Sequence, residues 1–508
     1  MDCIITIEIG TGAIRVTAFD LAGTIIGSSK GSYPTFHEKP DFSEQDPEQI
    51  FITMLYILKN FLNEKIHPKK YKVVSMCFNS AMHSVLPIDK KGIPIGNAIA
   101  WSDNRAKKEA AYLKSSGLSE SLYRATGTPI HAMSPLAKIT WLKNNDKERF
   151  AATKKFLSIK TYIIQQLTGQ YVIDHSIASA MGLLNIHTVQ WHEEALNHAG
   201  ISKGQLPDLV SIFYAANRLK KEYQTLLGLH DRVKIIIGSS DGCMATLGAG
   251  VWGNGKATVT LEESGAVRVI GKEVLQDEKQ RVFNYLLTEG NYVSGGPTNN
   301  AGSVFEWYAK QFGDFKKVFD LEGCMENLIR DAGNVPAGSE GLIFLPYLQG
   351  ERAPIWNANA RGVYFGLNIQ HGRHHLARAT IEGIIYAFYS IGKTLQEHRS
   401  FTSLSVNGTF ASYPFWTQLM ADIFDMSVLI KQNSGPDSVA CGGFLVSATE
   451  LGMYKNLEEA AQKVKLLDKF LPQKQDHAVY MKHFDIFERL GAKLYEEFES
   501  IADLQHNA

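Results

Sequence analysis

Two ten-residue stretches decide the fold: Ile7–Val16, IEIGTGAIRV, and Thr260–Val269, TLEESGAVRV. Each reads as a strand, a tight turn and a second strand, because β-branched residues flank a short glycine-containing break. The second strands begin almost identically, GAIRV against GAVRV. The turns differ in charge. Gly10-Thr11-Gly12 lets backbone N–H groups face an anion with no Cβ in the way, and Arg15 adds positive charge. Glu262-Glu263 instead carries two carboxylates where the first hairpin has none. Tight hairpins with glycine are common, so GTG by itself does not establish an anion site.

Working outward, strands and helices alternate on both sides of each hairpin. IITIEI, IRVTAFD and TIIGSSKGSY form an opening β-meander, and PEQIFITMLYILKNFL follows as a helix behind Asp46 and Pro47. YKVVSMCF reads as a buried strand, KKFLSIKTYIIQQLTG as an amphipathic helix closed by Gly169, and RVKIIIGSSDG as a strand ending in a Gly/Ser turn. A second meander runs from Lys256 to Tyr292 and leads into a mostly helical remainder. The pattern therefore restarts near residue 250. This predicts a duplicated α/β fold with a cleft between domains 1–246 and 247–508. No Pro/Gly/Ser-rich linker separates the halves, so the boundary is a compact one.

Composition supports that division. A chain of 508 residues is too long for one ordinary core. Lys+Arg and Asp+Glu are both 52, which gives no basic surface for nucleic acid or a membrane. Cys3, Cys77, Cys243, Cys324 and Cys441 are odd in number, scattered and without CxxC spacing, as expected in a reducing cytoplasm. CIITIEIG, from Cys3, reads as a strand and not as a signal peptide, and no apolar run has membrane-spanning length.

Several positions carry possible chemistry. Asp241 follows the apolar strand of IIIGSSDG and serves either as a proton acceptor for a hydroxyl or as the cap of the next helix. Met82, His83, Trp101, Asp103 and Arg105 offer aromatic, donor and acceptor groups suited to a polyol, with core packing and an ion pair as the alternative. SGGPTNNAGS and VNGTFASYPFW are turns before helices, which suit a phosphate or ribose but also plain capping.

MSPLAKITWLKNN (Met133 to Asn145) and GVYFGLNIQHGRHHLARATIE (Gly362 to Glu382) match the two long signatures of the FGGY carbohydrate kinases at every specified position. EQDPEQ, GSSDG, LIFLPYLQGERAPIWNANARG and WTQLMADIF extend the resemblance over nearly the whole chain. Through HAMSP, SIKTY, GGPTNN and ERAPIWNANARG the sequence most resembles the gluconate kinases, with xylulose kinases next. The resemblance implies two duplicated actin/hexokinase-like (ribonuclease H-like) α/β domains with a central cleft, and ATP-dependent phosphorylation of a sugar or sugar acid. Asp241 matches the catalytic base, Met82 and His83 the sugar-contacting pair, and Asp103 a further sugar contact. Gly10, Thr11 and Arg15 match the first phosphate loop. Ser264, Gly265, Asn299 and Gly408 fall in the remaining nucleotide motifs. Glu8 and Asp241 would serve Mg²⁺. Lys160 is the candidate partner for a gluconate carboxylate, although a helix lysine is more often solvated. The resemblance also allows a homodimer.

The departures from the pattern cluster at the nucleotide side. Members usually have Asp where Glu8 stands and Gly-Thr where Glu262-Glu263 stand, and their nucleotide turn usually reads Gly-Gly where Asn407-Gly408-Thr409 here adds side chains. A unit charge about 4 Å from a phosphate costs roughly 4 kcal/mol at an effective dielectric of about 20. Three readings follow: a working kinase whose glutamates are accommodated, a weakened homologue that senses or scaffolds a sugar acid, and a kinase with another phosphate donor. Xylulose kinases commonly have Gln where Ala81 stands, which argues against a pentulose.

Overall fold

The computed structural model describes residues 1–67, 70–313 and 320–506. The chain folds as two compact units. The first comprises Met1–Gly248, Gly271–Ser294 and Ser438–Lys463, and the second Ala249–Ile270, Gly295–Asp437 and Val464–Ala508.

In the first unit the meander is β1 (Asp2–Ile9), β2 (Ala13–Asp20) and β3 (Ile25–Ser32), followed by β4 (Lys72–Ser80), β5 (Ala215–Ala216) and β6 (Lys234–Ile236). The sheet order is β5-β6-β4-β1-β2-β3. β1 to β3 are antiparallel, β4 is parallel to β1, β6 is parallel to β4, and β5 closes the edge antiparallel to β6. β1 is buried at almost every position because helices cover both faces of the sheet. The helix Pro47–Glu64 starts where Asp46 accepts the N–H groups of Glu48 and Gln49, and it buries Ile50, Met54, Leu58 and Phe61 at helical spacing.

One expectation changes. KKFLSIKTYIIQQLTG is not one helix: Lys155–Leu157 is a strand, and the helix is Ile159–Thr168. The Ser158 hydroxyl accepts the Thr161 N–H at 3.1 Å and caps the helix there.

In the second unit the sheet is built from β7 (Gly255–Leu261), β8 (Gly265–Gly271), β9 (Asn291–Thr298), β10 (Phe401–Asn407), β11 (Ser427–Lys431) and β12 (Leu466–Phe470). These strands run in the order β9-β8-β7-β10-β11-β12. β7 and β8 form the antiparallel hairpin, β10 is parallel to β7, β11 is parallel to β10, and β12 is an antiparallel edge. The sheet has a seventh strand, Phe283–Thr288, at the edge beyond β9; its other six strands follow the same neighbour order as the six of the first sheet. Among the described residues no helix is long and apolar enough to cross a membrane.

The helix Ser438–Glu450 belongs to the first unit and crosses the helix Asp241–Gly248 at glycines. A Cβ on Gly248 would stand 1.9 Å from Ser438 O, and one on Gly442 would stand 2.2 Å from Met244 O. Both helices approach this closely only without side chains there. Gly442→Val is therefore expected to cost at least about 1–3 kcal/mol of stability, read as a lower midpoint in chemical denaturation.

Candidate functional site

Three adjacent parallel strands of the first unit end side by side, which is where open α/β sheets place their ligands. Ile9 pairs with Ser80, and Ser80 bridges to Ser240. The Gly10–Gly12 turn, the Ala81–His83 loop and Asp241 leave the sheet at this one edge.

In the first turn the backbone carbonyls are held from one side. Tyr33 Oη donates to Gly10 O, Gln45 Nε2 to Thr11 O, and Tyr33 N to Gly12 O at 3.0 Å. In a trans peptide the N–H opposes the carbonyl, so the N–H groups of Thr11 and Gly12 face the other way, on an exposed turn. Trp101 Nε1 donates to Thr11 Oγ1 at 2.9 Å and ties the polyol candidates to this turn. Across the hairpin Glu8 pairs with Arg15, with Oε2 4.0 Å from Nε and both side chains mostly buried.

His83 sits in the left-handed region, φ 66°, unusual for a residue with a side chain. Its Nδ1 donates to Ala180 O at 2.9 Å, and the ring packs 5.7 Å from Phe283 and 6.5 Å from Tyr285. Met82 is half-buried beside it. Lys138, from the first signature, holds this loop and the next. Its Nζ donates to His83 O at 2.9 Å and to Ala100 O at 2.6 Å from a fully buried position. Burial pushes its pKa down to about 7, with Asp103 opposing and Arg105 adding to the shift. A neutral amine has two N–H donors, which matches two carbonyl acceptors. Lys138 was not among the expected site residues; the sequence cue was its place inside the apolar stripe of PLAKITWL.

Two expected contacts lie elsewhere. Asp103 is fully buried, and both oxygens are taken by the framework: Oδ2 accepts Ser43 N at 2.7 Å, and Arg105 makes a bidentate pair at 2.7–3.0 Å. These bonds hold the loop from Ala100 to Arg105 against Ser43. Lys160 is 1% exposed and pairs with buried Asp174 at 2.7 Å, so it is neither solvated nor turned toward a substrate carboxylate.

Asp241 opens its helix half-buried, with Oδ1 2.6 Å from its neighbour Gly242 N. That bond sets the plane of the carboxylate at the strand edge.

In the second unit the corresponding strand ends also converge. Thr260 pairs with Asn407, so the Glu262–Ser264 turn adjoins Gly408. The helix Gly302–Phe312 starts against the same turn, with Gly302 N donating to Glu262 O at 2.8 Å and Ser303 N to Glu263 O at 3.0 Å. The Glu262 carboxylate accepts Thr409 N at 3.0 Å and Thr409 Oγ1 at 2.8 Å. Its charge caps the 3₁₀ turn Thr409–Ser412; Glu263 is exposed. Gly408 has φ 102°, and a Cβ there would stand 2.4 Å from Leu261 O; one on Gly265 would stand 2.2 Å from the Phe388 ring. Ser264 closes the turn by accepting Glu262 N at 3.1 Å on its carbonyl. Asn299 is oriented by its own N–H to Glu351 Oε1 and its side chain to Gln349 O, each at 3.0 Å. Beside the 3₁₀ turn lies a cavity of about 470 Å³ lined by Tyr413, Phe415, Ile329, Arg330, Glu322 and Glu326.

The N-terminal domain of the FGGY family of carbohydrate kinases matches residues 3–248, and the C-terminal domain matches residues 259–451. The chain belongs to this family. A gluconokinase of Bacillus subtilis (strain 168) is 34% identical over 504 residues, 98% of this chain and 97% of the relative. Among solved structures, a gluconate kinase from Lactobacillus acidophilus superposes with a TM-score of 0.92 at 32% identity, covering 98% of this chain and 99% of that one. A ligand-bound xylulose kinase from the same organism gives the same score and identity, covering 99% and 100%. This FGGY kinase thus shares the mixed α/β, two-domain actin/hexokinase-like fold of its relatives.

Lys138 gives a signed pH dependence. Its pKa is depressed on folding, so between about 7 and 10.5 the unfolded chain binds a proton that the folded chain does not. Stability from this group therefore rises with pH across that window. Relative to Lys138→Met, the wild type should gain stability from pH 6 to pH 9 in matched urea titrations.

Proposed function

We propose that the protein transfers the γ-phosphoryl group of ATP to a hydroxyl of gluconate, with Asp241 accepting the hydroxyl proton. The observation that carries this reading is Asp241 at the shared end of the parallel strands, beside Met82 and His83, in a chain related to carbohydrate kinases over nearly its whole length. Met82 and His83 would face the sugar, and the rigid backbone around them, held by Lys138, would orient its hydroxyls. The N–H groups of Thr11 and Gly12, with Gly10 free of a Cβ and Arg15 nearby, would receive phosphate oxygens. In the second unit, Ser264, Gly265, Asn299 and Gly408 would frame the nucleotide, and Tyr413 and Phe415 offer aromatic surface for its base. Glu8 and Asp241 are hard oxygen donors of the kind that fits Mg²⁺, which binds through one or two carboxylates and substrate phosphates. When bound, the metal would neutralise charge developing on the transferred group.

Gluconate is preferred over xylulose because the gluconokinase of Bacillus subtilis is 34% identical where a xylulose kinase of the same strain is 28% identical, and because Ala81 stands where xylulose kinases commonly have Gln. Engagement of the Glu262 carboxylate by Thr409 supports the working-kinase reading for that residue.

In a coupled ADP-release assay with Mg·ATP, gluconate should give the highest kcat/KM among gluconate, xylulose and glycerol. Asp241→Asn should lower kcat by at least about 10²-fold. Xylulose as the preferred acceptor would replace the substrate and keep the chemistry; full activity of Asp241→Asn would overturn the base assignment. Glu263→Thr should tighten Mg·ATP binding without changing Tm, because that carboxylate is exposed. Glu262→Thr should lower Tm, because two bonds to Thr409 are lost.

A further inference from the structure

Behind Asp241 lies a buried polar chain that the proposed chemistry does not use. Lys160 and Asp174 are 1% and 0% exposed and form an ion pair at 2.7 Å. The ammonium also donates to Ser239 O at 3.1 Å and Phe78 O at 3.4 Å, so its three N–H directions are all taken. Asp174 Oδ1 accepts Ser176 Oγ at 2.5 Å, Ser176 N at 3.1 Å and Ile177 N at 3.1 Å. Ser176 Oγ in turn accepts Ser239 Oγ at 2.6 Å and Ser240 N at 2.9 Å. From both Lys160 and Ser176 the chain reaches Ser239 or Ser240, the two residues that precede Asp241.

We propose that the Lys160–Asp174 pair, acting through Ser176, is a positioning device that fixes the Ser239-Ser240 turn and thereby aims the Asp241 carboxylate at the acceptor hydroxyl. The proposal rests on Asp241 being the base. Stability alone does not require this arrangement. Buried ion pairs are often no more stabilising than apolar residues of similar volume. Apolar residues, however, cannot orient a carbonyl, a hydroxyl and an N–H in two consecutive residues. The carbonyl of Ser239, its hydroxyl and the N–H of Ser240 are held from one side, and Asn79 Oδ1 accepts Ser239 N at 3.4 Å from the other. The turn is clamped between β4 and the helix His175–Ser179. Because the pair is internally neutral, it achieves this without adding net charge beneath the base.

The test uses the full chain, Mg·ATP and gluconate, with xylulose as the second acceptor. Ser176→Ala removes one oxygen and leaves no buried charge unpaired. The double variant Lys160→Met/Asp174→Asn removes the ion pair while the Asn amide still caps Ser176. Each is compared with wild type and Asp241→Asn at a temperature well below its own Tm. The expected result is a fall in kcat of about 10- to 100-fold in both network variants, the scale on which small misplacements act. KM for both substrates should stay within about threefold, the pattern of an interaction felt in the transition state. Amide hydrogen exchange at Ser239–Gly242 should accelerate on the order of tenfold, with the rest of the sheet unchanged. This arm reads the turn whether or not the acceptor is the right one. Unchanged exchange at those four amides, or exchange that accelerates uniformly with a fall in Tm, would overturn the proposal. Wild-type kcat in both network variants beside an inactive Asp241→Asn would overturn it alone. An active Asp241→Asn would remove the base reading and the proposal with it.

Discussion

One close backbone approach in the first unit sets the arrangement of the strand ends that carry Asp241, Met82 and His83. Gly238 lies against β4 with φ 63°, and a Cβ there would stand 2.3 Å from Phe78 O and 2.7 Å from Asn79 Oδ1. Only glycine fits. That contact lets the turn after β6 fold onto the end of β4, which makes the Ser80–Ser240 bridge and carries Asp241 to the edge where Met82 and His83 emerge. With any other residue at 238, Asp241 and the Ala81–His83 loop would separate. The buried chain from Lys160 then holds the turn that this contact permits.

The two hairpins contrast for a related reason. In the first, the carbonyls are drawn into the framework by Tyr33 and Gln45, and the exposed face of the turn is left to N–H groups. In the second, the carbonyls of Glu262 and Glu263 receive the first N–H groups of the helix Gly302–Phe312, and the Glu262 side chain receives Thr409. The Glu262 carboxylate is thus spent on the start of the Thr409–Ser412 turn, backbone carbonyls meet the start of the Gly302–Phe312 helix, and the Glu263 carboxylate stays exposed. A carboxylate at the N-terminus of a helical turn is favourable, and a sequence pattern cannot distinguish that use from one that faces a nucleotide.

Much of the architecture was legible because it rests on local periodicity. The repeated GA-x-RV hairpins announced two sheets, and six strands of the second follow the neighbour order of the first, with Phe283–Thr288 added at one edge. Asp241 was legible because an apolar strand followed by a Gly/Ser turn puts the next polar residue at a strand edge. Asp103 and Lys160 were misread for one shared reason. A charged residue in a polar motif suggests a ligand, while the partners that engage these two are brought to them by the fold: Ser43 N and Arg105 for one, Asp174 for the other. The KKFLSIKTY boundary was misread because apolar periodicity continues through the strand Lys155–Leu157, and only the cap at Ser158 marks the change. Lys138 was missed because a fully buried lysine is rare, although its place inside PLAKITWL put it on an apolar stripe.

The central claim is that this family member still binds nucleotide past its altered second turn and uses Asp241 on a sugar acid. Calorimetric titration of Asp241→Asn with Mg·ATP, in the presence and absence of gluconate, tests it most directly because turnover is suppressed. The account predicts saturable Mg·ATP binding between micromolar and millimolar Kd, tightened by gluconate. Gluconate binding with no nucleotide heat at millimolar Mg·ATP would contradict it.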